Sequence, residues 1–304
     1  MPIKDLIKKA QYITVPHAKS EPAPERDKGD RIECTSCKKS IDKTEYERVF
    51  RVCPNCGHHG RLSAQERVKL IADEGSFAET NANIVSLNPL QFDGYKEKTD
   101  KLKKATGLGE AVLTGKMKIN GHTCMTGIMD SRFMMASMGS AVGHKLTLLF
   151  EEAEESRLPV VVFTTSGGAR MHEGILSLMQ MAKVSAAAGR HGDAGLLYIN
   201  VLCDPTTGGV SASFAMLGDV TFAEPGALVG FAGRRVIEGT TGAKLPDDYQ
   251  SAEFQMKHGF VDSVLKRTEL KNALSKVIAL CDGDVNAASA KTAKKGGASK
   301  NEQQ

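Results

Sequence analysis

Two kinds of residue in this chain are spaced as if for chemistry. Four cysteines fall within 23 positions, Cys34 and Cys37 as one C-x2-C pair and Cys53 and Cys56 as another, with fifteen residues between. That is the spacing of a four-thiolate zinc site. The second kind is a repeated glycine pair. TTSGGARMHEG at 164–174 follows the apolar run LPVVVF, and DPTTGGVSAS at 204–213 repeats the arrangement.

A strand that feeds a glycine pair into a helix start leaves backbone N–H groups unpaired, with the positive end of the helix dipole behind them. Such a point receives negative charge, from a phosphate or from an oxygen that becomes negative during a reaction. Neither loop fits G-x-x-x-x-G-K-[ST] or G-x-G-x-x-G, which disfavours those nucleotide cradles. Two loops that each aim an N–H at one point make an oxyanion hole. The plainer alternative is that glycine only permits a tight turn, and for a single pair it is the simpler one. Recurrence in successive strand–turn–helix units favours the anion site and leaves both readings open. Ser166, Ser211 and Ser213 adjoin the glycines, but there is no G-x-S-x-G elbow, and Ser166 reads as an N-cap. His172 and Glu173 could serve as acid and base, although such residues at a helix start are more often solvated.

The elements that must hold these groups are legible from patterning. The expected organisation is a flexible lead-in over 1–30, a zinc ribbon over 31–60, a main domain over 61–285 and a disordered tail over 286–304. The lead-in ends in VPHAKSEPAPERDKGD, rich in proline and charge. KKSIDKTEYERVFRV, between the cysteine pairs, alternates like a β-ribbon, and a module this small needs its metal to fold. Ser63 and Glu66 form a capping box that opens a helix over RLSAQERVKLIADEG, stopped by Gly75. YKEKTDKLKKATG is amphipathic, and Asn120-Gly121 joins two apolar runs as a hairpin. The MKI within that hairpin is not a biotin attachment site, because Lys118 lies inside a run rather than at a tip. MGSAVGHKLTLLFEEAEESR reads as a helix, PVVVF as a buried strand, and SGGARM as a turn into a long helix. GLLYINVL then reads as a strand, CDPTTGG as a turn, VSASFAMLGDV as a helix and TFAEPGALVGFAG as a further strand with its loop. Nearly apolar strands alternating with helices imply an α/β fold with a mostly parallel sheet.

Composition narrows the classes. A chain of 304 residues buries roughly three quarters of its unfolded surface, enough for one large core. Forty basic residues against 36 acidic ones do not imply a nucleic-acid binder from the total. No apolar run approaches the ~20 residues needed to span a bilayer, so no membrane role is expected. MPIKDLIKKAQYI lacks the features of a secretion signal, and the expected location is the cytoplasm. Cys124, Cys203 and Cys281 read as small buried hydrophobes.

Several blocks then occur in one order: the four-cysteine ribbon, EGSF at 74–77, MGSAVG at 138–143, SGGARM at 166–171, SLMQMAK at 177–183, DPTTGGVSASFAMLGD at 204–219 and AEPGALVGFAG at 223–233. Over positions 31 to 280 the chain resembles the carboxyltransferase beta subunits of bacterial acetyl-CoA carboxylases. The resemblance implies a crotonase-like spiral of ββα units behind an N-terminal four-cysteine zinc ribbon, with one structural Zn2+. It implies transfer of a carboxyl group from carboxybiotin, on a separate biotin carboxyl carrier protein, to acetyl-CoA, giving malonyl-CoA for fatty acid synthesis. Gly167 and Gly168, with Gly208 and Gly209, would stabilise the enolate oxygen, and Arg170, Arg234 and Arg235 would face the phosphates of coenzyme A. A second hole for the biotin ureido oxygen would come from a carboxyltransferase alpha subunit in an alpha2beta2 heterotetramer, with biotin carboxylase in the wider complex. Biotin itself would take the methyl proton, which accounts for the lack of a convincing protein base.

Two alternatives accompany this reading. Lys38, Lys39, Arg48, Arg51, His58, His59 and Arg61 give the ribbon a nucleic-acid-like charge, but Glu33, Asp42, Glu45 and Glu47 are interleaved, favouring a structural or docking ribbon. A stand-alone crotonase-type hydrolase or isomerase would need its own acid or base. One region departs from the family: after GFAG, Arg234-Arg235 leads into VIEGTTGAKLP, whose Gly239 and Gly242 are expected to weaken any helix there by up to about 1 kcal/mol each.

Overall fold

The computed structural model describes residues 30–281. The lead-in, apart from Asp30, and the 286–304 tail lie outside the described residues. The chain opens with β1 (Arg31–Glu33) antiparallel to β2 (Ser40–Asp42), followed by α1 (Lys43–Arg48). A helix therefore stands where alternation suggested a β-ribbon. Asp42 accounts for it: its carboxylate accepts the Glu45 N–H at 2.9 Å, an N-cap that outweighs a weak period-2 pattern. Ile41 and the half-buried Tyr46 pack with Cys34, Cys37 and Cys53 in a small apolar cluster of their own.

Next comes α2 (Ala64–Ile71), with the expected capping box between Ser63 and Glu66. It ends four residues before Gly75 because Asp73 is committed elsewhere. The Asp73 carboxylate accepts the N–H groups of Asn120 and Gly121 at 3.0 and 2.7 Å, pinning the hairpin turn. After β3 (Ala78–Thr80) and α3 (Tyr95–Thr106), that hairpin is formed by β4 (Val112–Ile119) and β5 (His122–Met129), in the register Asn120-Gly121 predicts.

From β5 onward the sheet is parallel. After α4 (Ser140–Ser156) come β6 (Val160–Ser166), α5 (Ile175–Asp193), β7 (Tyr198–Thr207), β8 (Val220–Ala223) and β9 (Val229–Gly230). Then follow α6 (Arg234–Thr241), α7 (Ala252–Lys257), β10 (Ser263–Val264) and a final helix α8 over 267–281. The strand order is β10-β8-β7-β6-β5-β4-β3, with β9 on the end of β7 and antiparallel pairs only at β3-β4 and β4-β5. β6 is buried along its whole length, as a parallel strand covered on both faces must be. Val142, Leu146, Leu149 and Phe150 of α4 join the core beside it, each such side chain contributing about 1.5–3 kcal/mol. Cys124 and Cys203 are buried, while Cys281 is only partly so.

Two expectations fail after β7. The strand runs on through Cys203-Asp204-Pro205-Thr206-Thr207, because β9 gives Thr206 and Thr207 parallel partners in Val229 and Gly230. VSASFAMLGDV is then not an α-helix but a series of turns with one 3-10 turn at Phe214–Met216. Ser211 Oγ bonds to the carbonyls of Gly208 and Gly230 at 2.8 and 2.7 Å, the competition that keeps serine out of helices. Conversely, α6 forms despite Gly239 and uses Gly242 as a left-handed cap. The Arg234 guanidinium secures it by bonding to the carbonyls of Leu245 and Pro246. No helix among the described residues is long and apolar enough to cross a membrane.

Candidate functional site

β6 and β7 are parallel neighbours with Ser166 opposite Thr206, so both glycine pairs emerge at the same end of the sheet. There the loops meet backbone to backbone. A methyl group added at Gly208 would stand 3.0 Å from the Gly168 Cα, and one added at Gly168 would stand 3.5 Å from the Gly208 Cα and 3.9 Å from the Gly209 nitrogen. Gly168 and Gly208 also have φ of +103° and +66°. The two loops touch, and glycine is what permits the approach.

The amides themselves require a correction. Gly167 N–H donates to the Met135 carbonyl at 2.8 Å, Gly168 N–H to Ser166 Oγ at 3.0 Å, and Gly208 N–H to the carbonyls of Gly230 and Phe231 at 3.1 and 3.2 Å. Three of the four assigned donors are thus bonded within the fold. Gly209 N–H has no acceptor among the described residues, and neither has Ala169 N–H. Nor does a helix start behind Gly167 and Gly168: α5 begins at Ile175, after a 3-10 turn at Met171–Glu173, so Ser166 caps no helix. Behind the second pair a single helical turn closes, Ala212 N–H to Gly208 O at 3.2 Å, which leaves Gly209 as a first-turn orphan donor.

A feature with no sequence signal supports the first loop. Met134, Met135 and Ala136 all have φ near +50°, a left-handed turn without glycine or asparagine. Such residues cost about 1–2 kcal/mol each and persist only where neighbours fix them. Gly167 N–H fixes the Met135 carbonyl and Ser166 Oγ the Ala136 carbonyl, at 2.8 Å each.

Arg170, expected to face coenzyme phosphates, is instead buried in an ion pair. Its side chain is 0% exposed and grips Glu110 at 2.7 and 3.0 Å, with further bonds to Tyr95 Oη at 3.1 Å and the Ser137 carbonyl at 2.7 Å. It cannot reach a coenzyme phosphate. The Glu173 carboxylate beside it accepts from Tyr95 Oη, Ser86 Oγ and the Ser140 N–H at the start of α4. Burial pushes this carboxyl up, but the bonds from Tyr95, Ser140 and Ser86 outweigh burial and hold it below the usual carboxylate range. An ionised and fully bonded Glu173 is no acid or base. The His172 ring stacks on Tyr95 at 5.0 Å. Arg234 is spent on α6 and its loop, so of the three assigned arginines Arg235 alone is exposed, with no ion pair among the described residues.

Beside the second glycine pair lies an apolar cleft of about 610 Å³, lined by Ser211, Phe231, Ile237, Tyr249, Phe254 and Phe260 among others. Met171 (87% exposed), Ile175 (63%), Leu178 and Met179 present an apolar face on the approach to α5 and its first turns.

The four cysteine sulfurs lie within 4.8 Å of one another. Cys34 and Cys56 Sγ are 3.8 Å apart and Cys37 and Cys53 Sγ 3.9 Å. A tetrahedron with metal–sulfur bonds of about 2.3 Å has edges of about 3.8 Å, so the donor set fits a four-coordinate metal. Because metal binding supplies about 10–16 kcal/mol in comparable modules, chelation should melt residues 31–60 while the sheet stays folded; circular dichroism and resolved amide NMR signals from β6 and β7 check this.

The ribbon is fastened to the main body by buried charge. Arg267 of α8 donates to the carbonyls of Phe50 and Gly60, both at 2.6 Å, and to both oxygens of Glu224, which also pairs with Arg67. Of the basic ribbon residues, Arg51 pairs with Glu66 and Arg61 with Asp204, and His59 is buried. Burial, then Arg267, pushes His59 down from its ordinary 6.5 to about 4. A depressed value means that unfolding takes up a proton, so this contribution is complete above pH 6.5 and shrinks as pH falls towards 4. Urea melts between pH 7 and 4 should show stability falling on acidification, with a shallower slope for His59→Gln.

Comparison with known proteins places the chain. It is 53% identical over 283 residues to the acetyl-coenzyme A carboxylase carboxyl transferase subunit beta of Clostridium novyi (strain NT), an alignment covering 91% of this chain and 99% of that one. It is 53% identical over 288 residues to the acetyl-coenzyme A carboxylase carboxyl transferase subunits beta/alpha of Natranaerobius thermophilus, covering 91% of this chain and 48% of that protein, about half its length. The transcarboxylase 12S core, solved with methylmalonyl-coenzyme A and methylmalonic acid bound, superposes with a TM-score of 0.63 at 25% identity, over 72% of this chain and 41% of that chain. The glycine loops, and all of the sheet that carries them, fall within residues 57–279, which match the model of the carboxyl transferase domain, and the chain belongs to that family.

Proposed function

We propose that the chain is the beta subunit of the carboxyltransferase component of acetyl-CoA carboxylase, passing the carboxyl group of carboxybiotin to acetyl-CoA to give malonyl-CoA. The observation that carries this is the Gly209 amide, without an acceptor among the described residues, where two glycine loops touch, next to Ser211 in the lining of an open cleft of about 610 Å³. Taking a proton from the thioester methyl group puts negative charge on its carbonyl oxygen. Gly209 N–H and Ala169 N–H, one from each loop, are the donors we assign to that charge, and in comparable enzymes one such donor supplies about 2.7–4 kcal/mol. Gly167, Gly168 and Gly208 serve by letting the loops approach. Arg235 is the cation assigned to coenzyme phosphates. Biotin, carried on its own protein, supplies the carboxyl group and accepts the methyl proton. That division suits a chain whose nearest candidate base, Glu173, is already saturated with donors.

Zinc is the metal we assign to Cys34, Cys37, Cys53 and Cys56, and the crotonase-type spiral of ββα units belongs to the same reading. The exposed apolar face of α5 is assigned to the alpha subunit, in an alpha2beta2 assembly. Support for that partner is the relative in which beta and alpha are one chain. Biotin carboxylase and the carrier protein complete the cytoplasmic complex. The chain mixed with alpha subunit, carboxylated carrier and acetyl-CoA should yield malonyl-CoA, and should yield none without the alpha subunit. A silent complete mixture, or thioester turnover by this chain alone, overturns the proposal.

A further inference from the structure

Arg61 leaves the ribbon just before α2 and reaches the supports of both glycine loops. Its Nε donates to Asp204 Oδ2 at 3.1 Å, and its Nη1 lies 3.8 Å from Met135 Sδ. Asp204 heads the segment that ends in Gly208 and Gly209. Its second carboxylate oxygen accepts Leu228 N–H at 3.2 Å, and its carbonyl accepts Thr165 Oγ1 at 3.1 Å. Met135, in the left-handed turn, takes the Gly167 N–H on its carbonyl, and its Cβ would touch a methyl group added at Gly167 at 3.4 Å. One guanidinium therefore contacts one residue behind each loop.

An ion pair whose side chains are 48% and 34% exposed adds little to folding. Its geometry nonetheless acts where placement matters, since shifts of about 1 Å in a catalytic group can cost on the order of a hundredfold in rate. A planar fork can face two partners at once, which an ammonium cannot do in the same way. We propose that Arg61 is a positioning residue for carboxyl transfer: it ties the metal ribbon to both glycine loops and sets how far apart the Ala169 and Gly209 amides stand. This rests on the function proposed above.

The test uses the complex reconstituted with alpha subunit and carrier, and two kinds of readout. Arg61→Met should lower kcat about tenfold or more with the KM for acetyl-CoA nearly unchanged. Asp204→Asn, which keeps the acceptor for Leu228, should do the same, and the double variant should be no worse than the poorer single one. Arg61→Lys should recover part of the loss. Independently of activity, amide hydrogen exchange over 204–213 should quicken about tenfold in Arg61→Met, while amides of 31–60 and metal content stay as they were. Wild-type kcat in Arg61→Met, losses that multiply in the double variant, or a loss that tracks departure of the metal each overturn the proposal. If the unaltered complex makes no malonyl-CoA, the functional reading falls, and the exchange measurement still decides Arg61: unchanged rates over 204–213 reject it.

Discussion

Gly208→Ala is expected to lower malonyl-CoA formation by about a hundredfold or more while the ribbon keeps its metal, a loss comparable to removing one oxyanion donor. The new methyl group would lie 3.0 Å from the Gly168 Cα, a backbone atom with no rotamer to escape into. The residue would also sit at φ +66°, a further cost of about 1 kcal/mol or more for anything but glycine. The loops must part, and the two amides part with them. Gly209→Ala is the control. Its methyl group would clash with the Sδ and Cε of Met181, the far end of a flexible side chain that can swing aside, with φ outside the left-handed region, and the amide itself is kept. Its kcat should fall far less. Equal losses for the two variants would mean that loop approach is not what Gly208 provides.

What could be read from the sequence was local. Asn120-Gly121 fixed a hairpin register, Ser63 and Glu66 a helix start, and four cysteines a metal-shaped cluster, because in each case the residues that interact are a few positions apart or repeat a fixed spacing. Even the meeting of the glycine loops was implied, since strands in successive units become neighbours. What escaped was non-local. Arg170 resembles an anion-seeking cation until Glu110, sixty positions earlier, is placed against it. Ser211 leaves the helical pattern for the Gly230 carbonyl. The left-handed turn at Met134–Ala136 is written in residues that favour nothing of the kind, and only the bonds from Ser166 and Gly167 hold it.

Side chains that looked chemical, Arg170, His172 and Glu173, are scaffold, while the groups left open are main-chain amides, one exposed arginine and an uncovered apolar face. Under the function proposed above, Gly209 and Ala169 supply donors for the developing charge, and biotin takes the proton in place of Glu173, whose carboxylate already accepts from Tyr95, Ser86 and Ser140.

Arg170→Met separates scaffold from ligand contact most sharply. The substitution leaves the Glu110 carboxylate, fully buried, without its partner, and takes a cation from 3.9 Å away from Glu173. Breaking a buried pair from one side costs about 3–5 kcal/mol, a large part of the roughly 5–15 kcal/mol that holds a domain together. At about 2–4 °C per kcal/mol, Tm should drop by about 10 °C. Glu110→Gln in the same chain should restore part of it, because the stranded charge is then gone. Were Arg170 a coenzyme contact instead, Tm would hold and the KM for acetyl-CoA would rise, so thermal melts and acetyl-CoA titrations on one preparation discriminate the two. A variant with unchanged Tm and weakened acetyl-CoA binding would return Arg170 to the substrate, and would mean that the SGGARM loop is oriented by something other than the Glu110 pair.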